Sequence, residues 1–115
     1  MKVIIAGGRD FYDYKKLKSA CSYFLKNEPN AEIVSGAANG ADKLGERYAR
    51  EHGLRISSHP ADWDRYKKSA GYIRNKEMAE YADALIAFWD GKSKGTKHMI
   101  DLAREHGLKV RVISY

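Results

Sequence analysis

Lys2-Val-Ile-Ile-Ala6, followed at once by Gly7-Gly8-Arg9-Asp10, is the stretch that decides how this chain folds. Its apolar run has no polar face, so a strand made of it needs cover on both sides, as in the interior of a parallel sheet. The glycine pair ends the run and turns the chain. Asp13 then caps a helix whose apolar positions Leu17, Ala20, Cys21, Phe24 and Leu25 lie along one helical stripe, and Pro29-Asn30 ends it.

The same alternation continues outward. Glu32-Ile-Val-Ser35 is a short β-branched strand, and Gly36-Ala-Ala-Asn-Gly40 leads from it into a helix with Ala41, Leu44, Gly45, Tyr48 and Ala49 inward, stopped at Gly53. Residues 54–59 read as a weaker third strand, and Pro60 to Ser69 as a polar loop carrying Trp63 and Tyr66. A third helix begins near Ser69. Asp83 to Trp89 is the second strong strand, Asp90 to Gly95 another glycine loop, and Thr96 the expected cap of a fourth helix, which Gly107 stops before a last strand at Lys109 to Ser114. The hexapeptide Ala-Arg-Glu-His-Gly-Leu occurs at 49–54 and again at 103–108, which marks one helix-to-strand connection used twice rather than a solenoid repeat. Five parallel strands alternating with helices predict a Rossmann-like three-layer α/β sandwich with helices on both faces. Ligands in such sheets bind beyond the carboxyl ends of the strands, where the strand order reverses. Every glycine loop lies at that edge.

At 115 residues, with 43% hydrophobic and 31% charged residues, the chain has the composition of an ordinary globular domain, and residues 1–115 are expected to form one. Cys21 is the only cysteine, so no intrachain disulfide or Cys-x-x-Cys pair exists, and a reducing cytoplasm is the expected setting. Val3 to Ala6 is too short for a signal-peptide core or a membrane span, so no membrane partner is expected. A net charge of +6 favours anionic partners. That excess is divided equally between residues 1–59 and 60–115, so there is no basic tail.

Each loop has a bland reading and a functional one. Gly7-Gly8-Arg9-Asp10 is either a tight turn with an exposed arginine or a place where backbone N–H groups and Arg9 grip a phosphate, although the G-x-G-x-x-G fingerprint is absent. Gly36 to Gly40 and Gly91-Lys-Ser-Lys-Gly95-Thr96 bring donors to helix starts. At the second loop anion binding is the favoured reading, because glycines, the Ser93 and Thr96 hydroxyls and lysines coincide there. Arg74-Asn75 opens the third helix and suits a phosphate and a sugar, while Trp63 suits a base. The histidines at 52, 59, 98 and 106 have no metal-ligand spacing, and His52 and His106 fall at helix ends, so no metal is predicted. No cofactor is predicted either, and no G-x-S-x-G elbow supports a hydrolytic triad.

These motifs, in this order, resemble the SLOG superfamily of DprA-like and LOG-like Rossmann proteins, and most closely its small single-domain YpsA-like branch. The resemblance spans nearly the whole chain. Gly7-Gly8-Arg9-Asp10-Phe11 looks like the opening G-x-R segment, and Ser35-Gly-Ala-Ala-Asn-Gly-Ala-Asp42 like the Ser-Gly-x-Ala-x-Gly-x-Asp loop of DprA. Ala70-Gly71-x-x-Arg74-Asn75 resembles the Arg-Asn helix start, and Ala82 to Thr96 the strand and phosphate loop of LOG enzymes. The resemblance implies a nucleotide-derived ligand, ADP-ribose-like or nucleoside-monophosphate-like, held by Gly8, Arg9, Gly36, Asp42, Trp63, Arg74, Asn75, Gly91, Ser93, Gly95 and Thr96. In LOG-type phosphoribohydrolases a glutamate three residues after the threonine takes part in N-glycosidic cleavage, and Met99 stands there instead. A thioether moves no proton, so the reading leans away from an enzyme, with Asp42, Glu46 and Asp90 as the carboxylates a relocated glycosidase would use. DprA-like single-stranded nucleic-acid binding is the less favoured alternative, and LOG-type relatives leave a homodimer open.

Overall fold

The computed structural model describes all of residues 1–115 and contains five strands, β1 (Lys2–Gly7), β2 (Glu32–Ser35), β3 (Arg55–Ser58), β4 (Ala84–Trp89) and β5 (Lys109–Ser114). Between them lie the helices α1 (Tyr14–Phe24), α2 (Ala41–Glu51), α3 (Trp63–Tyr66), α4 (Ala70–Tyr81) and α5 (Lys94–Glu105). All strand pairs are parallel, in the order β3-β2-β1-β4-β5. The expected Rossmann-like sandwich is therefore the fold.

Alternation along the central strands divides the core in two. Val3, Ile5, Ile33, Ile86 and Phe88 pack with Leu17 and Cys21 of α1 and Tyr48 and Ala49 of α2. Ile4, Ala6, Val34, Leu85 and Ala87 pack with Met78 and Ala79 of α4 and with Met99, Ile100 and Ala103 of α5. Residues 3–5 have no exposed surface, as their unbroken apolar run requires. The outer strands β3 and β5 expose Arg55, Lys109 and Arg111, charges that discourage pairing of the open edges with another strand. No helix is long and apolar enough to cross a membrane.

Helix ends follow the local chemistry with two corrections. Asp13 caps α1 by accepting from the Lys16 N–H at 3.1 Å, and Gly53 and Gly107 close the two repeated hexapeptides in the left-handed conformation at φ 65° and 74°. The imidazoles of His52 and His106 each lie 2.9 Å from a last-turn carbonyl. Thr96, expected to cap the fourth helix, lies inside it. Ser93 is the cap, its hydroxyl accepting from the Thr96 N–H at 3.4 Å, so α5 starts at Lys94 and Gly95 belongs to its first turn. Residues 60–69 are likewise not a plain loop. Asp62 accepts from the Arg65 N–H at 3.1 Å and caps the one-turn helix α3, which a 3-10 turn at Lys67–Ser69 joins to α4.

β1 and β4 are neighbours whose continuing chains leave in different directions, into α1 on one face and α5 on the other. That divergence opens the crevice. Its inner wall depends on α2 lying hard against β1 at Gly45, where an added Cβ would stand 2.8 Å from the Ile5 side chain. Gly45→Val is expected to force α2 off the sheet and destabilise the protein by about 1–3 kcal/mol in urea unfolding. An unchanged midpoint would mean that this contact is loose.

Candidate functional site

Three segments converge on the crevice, and each is fixed by its own backbone. The Gly8 N–H donates to the Phe88 carbonyl at 3.1 Å, while the Gly8 carbonyl accepts the N–H groups of Phe11 and Ala41, each at 3.2 Å. The first glycine loop is thus joined to β4 and to the start of α2. Gly40, at φ 79°, is confined there: an added Cβ would stand 2.7 Å from the Arg9 backbone. Phe11 stacks on Phe88 at 4.8 Å and meets Tyr115 at the same distance. The Tyr115 hydroxyl donates to Asp10 at 2.6 Å.

The second loop is organised by Ser35 and Asp42. Ser35, fully buried, donates to Glu46 at 2.6 Å and accepts from the Ala37 N–H at 3.0 Å. Asp42, 5% exposed, accepts from the Ala38 N–H at 3.2 Å. Burial pushes its carboxyl up to about 6, against the opposing pull of Arg74 and that backbone N–H. Arg74 reaches across from α4 to donate to the Gly36 carbonyl at 2.5 Å and to the Asn75 side chain at 3.0 Å. It forms no ion pair. Burial works against its charge and Asp42 supports it.

Asn75 is committed to protein partners. Its amide nitrogen lies 3.2 Å from both the Gly95 carbonyl and His98 Nδ1, tying α4 to the first turn of α5. Burial holds His98 below the usual histidine range, and Tyr72 meets its ring edge-on at 4.6 Å. At the α5 start, Asp90 accepts the N–H groups of Lys92 and Ser93, each at 2.8 Å, and these bonds hold its carboxyl below the usual range. The backbone N–H groups of Lys94 and Gly95 have no protein acceptor and form the positive end of the α5 dipole.

Together these segments enclose a cavity of about 470 Å³. It is lined by Gly8, Arg9, Asp42, Trp63, Arg74, Asn75, Ser93, Gly95 and Thr96 from the sequence-derived set. Met99, 1% exposed, lies at its base. Gly36 lines an adjoining hollow instead, and Gly91 stands outside both. Of the three candidate carboxylates only Asp42 reaches the cavity, since Glu46 is bonded to Ser35 and Asp90 to backbone amides. Sequence reasoning missed Asp10, Lys68, Gly71 and Tyr72, which also line it. Lys68 and Tyr72 had no motif to mark them, whereas Asp10 follows Arg9 in the first glycine loop and Gly71 lies in the Arg-Asn helix start. No group of three or more His, Cys, Asp or Glu side chains is placed to hold a metal ion.

Glycine loops meeting at a parallel-sheet switch point, faced by an arginine-asparagine pair on the opposing helix, define a SLOG-type Rossmann protein. The model of the YspA, cpYpsA-related SLOG family (YAcAr) matches residues 1–66, and the chain belongs to that family. It is 35% identical to the Gene 61 protein of Mycobacterium phage D29 over 116 aligned positions, covering 95% of this chain and 93% of that one. Among solved structures it is similar to DNA processing protein A (DprA) from Helicobacter pylori, described for its single-stranded DNA binding mode. That match has a TM-score of 0.71 at 24% identity, over 97% of this chain and 64% of that one. DprA from Streptococcus pneumoniae matches with a TM-score of 0.77 at 21% identity, over 96% of this chain and 49% of that one. This chain is thus shorter than either DprA, and the likeness to them is one of fold.

Asp42 gives the site a measurable pH dependence. Its folded carboxyl titrates near 6 against an ordinary 3.8, so the folded state disfavours the charged form. The resulting penalty is absent below about pH 4 and complete above about pH 6, where it reaches the order of 3 kcal/mol. Asp42→Asn, which keeps an acceptor for the Ala38 N–H, is expected to raise the melting temperature at pH 8 and to lose that advantage at pH 4. An equal effect at both values would remove Asp42 as the cause.

Proposed function

We propose that this protein binds a nucleotide or nucleotide-derived ligand in the switch-point crevice. The observation that carries the reading is Arg74, a largely enclosed guanidinium with no ion-pair partner, facing a cavity that the α5 N-terminus also enters. An enclosed cation without a carboxylate partner favours an incoming anion. The free N–H group of Gly95 and the hydroxyls of Ser93 and Thr96, all from residues lining the same cavity, supply phosphate contacts beside it. Asp42 accepts from a sugar hydroxyl, and Trp63, 48% exposed at the rim, stacks on a base. Asn75 acts as a positioning residue by holding Arg74 and α5 in place. The lone buried thiol, Cys21, pushed up to about 12 by burial, is inert and suits a reducing cytoplasm.

A second reading is hydrolysis of an N-glycosidic bond, favoured by one observation, the raised carboxyl of Asp42 on the cavity wall. Met99 argues against it. A third, single-stranded nucleic-acid binding, draws on what is described for the Helicobacter pylori DprA. Salt separates it from the first, because a partner with many phosphates is lost steeply as salt rises.

A thermal-shift screen of nucleotides is the direct test, since a ligand at 100 times its Kd stabilises by about 2.7 kcal/mol. Arg74→Ala is expected to weaken the best hit by about 1.5–3 kcal/mol in calorimetry, with the variant still folded. Unchanged affinity would exclude Arg74 from the site. Wild-type protein is expected to release no base from AMP. Turnover that Asp42→Asn abolishes while binding persists would establish the hydrolase instead.

A further inference from the structure

The concave surface extends beyond the main cavity. An adjoining hollow of about 340 Å³ is lined by the Gly36–Asn39 loop and by Pro60 and Ala61. Both hollows are of ligand size, within the roughly 300–1,000 Å³ typical of binding pockets. They have four residues in common: Arg9, Ala38, Trp63 and Arg74. The boundary between them therefore carries two guanidinium groups and an indole. The Arg9 guanidinium lies over the Trp63 ring at 5.8 Å.

The position of these cations constrains what can fill the groove. Neither arginine has a carboxylate within ion-pair distance. Arg74 spends Nη1 and Nε on protein acceptors and keeps Nη2 free, while the Arg9 side chain makes no hydrogen bond. A mononucleotide carries its charge at one end. Its phosphate at the α5 start would leave Arg9 and the whole second hollow without a function. A ligand that uses both hollows and both cations carries its charge in the middle, and two guanidinium groups match two bridging negative charges better than one.

We propose that the groove takes a two-armed pyrophosphate, whose diphosphate lies across Arg9 and Arg74 with one nucleoside- or sugar-like arm in each hollow. The proposal rests on the nucleotide-binding reading and narrows it from mononucleotides to molecules with a central diphosphate. One arm lies against Gly71 and Tyr72 in the main cavity, with the α5 start left to a phosphate oxygen, and the other meets Pro60, Ala61 and Asn39. Trp63 borders both hollows and supplies an aromatic surface at the bridge. Asp42, which lines the main cavity, feels the charge of both Arg74 and Arg9. It leaves the two guanidinium groups in excess. Asp10, the other acid of the main cavity, is engaged by the Tyr115 hydroxyl.

Calorimetry with four probes at one ionic strength tests this: AMP, ADP, ADP-ribose and diadenosine diphosphate. ADP controls for the charge of a diphosphate without a second arm. At least one two-armed probe is expected to bind about tenfold or more tighter than ADP. Ala61→Trp and Asn39→Trp each fill the second hollow from a residue that does not line the first. Each is expected to abolish that gain while changing the AMP affinity less than about twofold, with melting temperatures confirming the fold. If two-armed probes bind no better than ADP, or if both folded variants keep the gain, the second arm is refused. The proposal then fails while nucleotide binding stands. If none of the four probes binds, the nucleotide reading and this proposal fall together.

Discussion

The contact on which the rest of this molecule depends is the seam between β1 and α2. Side chains are missing along it at Gly45, where α2 meets Ile5 of β1, and just beyond it at Gly40, where the cap of α2 meets the Arg9 backbone. Close-packed interiors leave no slack at such points, so these glycines set the distance between helix and strand. Because α2 lies this close, the Ala41 N–H reaches the Gly8 carbonyl, and the first and second glycine loops become one backbone unit. Arg74 then spans from α4 to Gly36, which gives that unit its outer wall.

The electrostatics of the crevice follow from that closeness. Asp42 sits in the first turn of α2, where the helix dipole favours an acid, yet burial overrides this and raises its carboxyl. Asp90, in the loop ahead of the Ser93 cap of α5, meets two backbone amides at the surface and moves the other way. The two sheet-to-helix junctions thus hold carboxylates of opposite character. One remains close to taking up a proton near neutral pH, and the other acts only as a brace for the Ser93 turn.

Much of the fold was legible because its signals are local. An unbroken apolar run needs two-sided cover, a helical stripe faces one core, and the Gly53 and Gly107 stops require left-handed backbone. The cap of α5 was misplaced because Ser93 and Thr96 are both hydroxyl residues three positions apart, and the two oxygens lie within 3.1 Å of each other. The single turn at Trp63–Tyr66 is too short to show periodicity, and its Asp62 cap was the one available cue. Most of the proposed site residues reach the cavity because loop-borne groups collect at a switch point whatever their spacing. Lys68, Tyr72 and the Tyr115–Asp10 bond were not legible, since they depend on how distant segments meet. Asn75 was identified as a site residue, but its commitment to Gly95 and His98 appears only in three dimensions.

The chain has two tryptophans, one lining the crevice and the other bonded to the turn that begins α5. Trp63 lies half exposed at the outer rim, while Trp89 ends β4 with its indole N–H donating to the Ser93 carbonyl at 3.0 Å. One indole is open to solvent beside a guanidinium, and the other is tied into the turn that begins α5. The intrinsic ultraviolet emission of the protein therefore has two sources, one reporting on stacking at the rim and the other on movement at the helix start. Occupancy of the crevice becomes an optical property of the unlabelled chain.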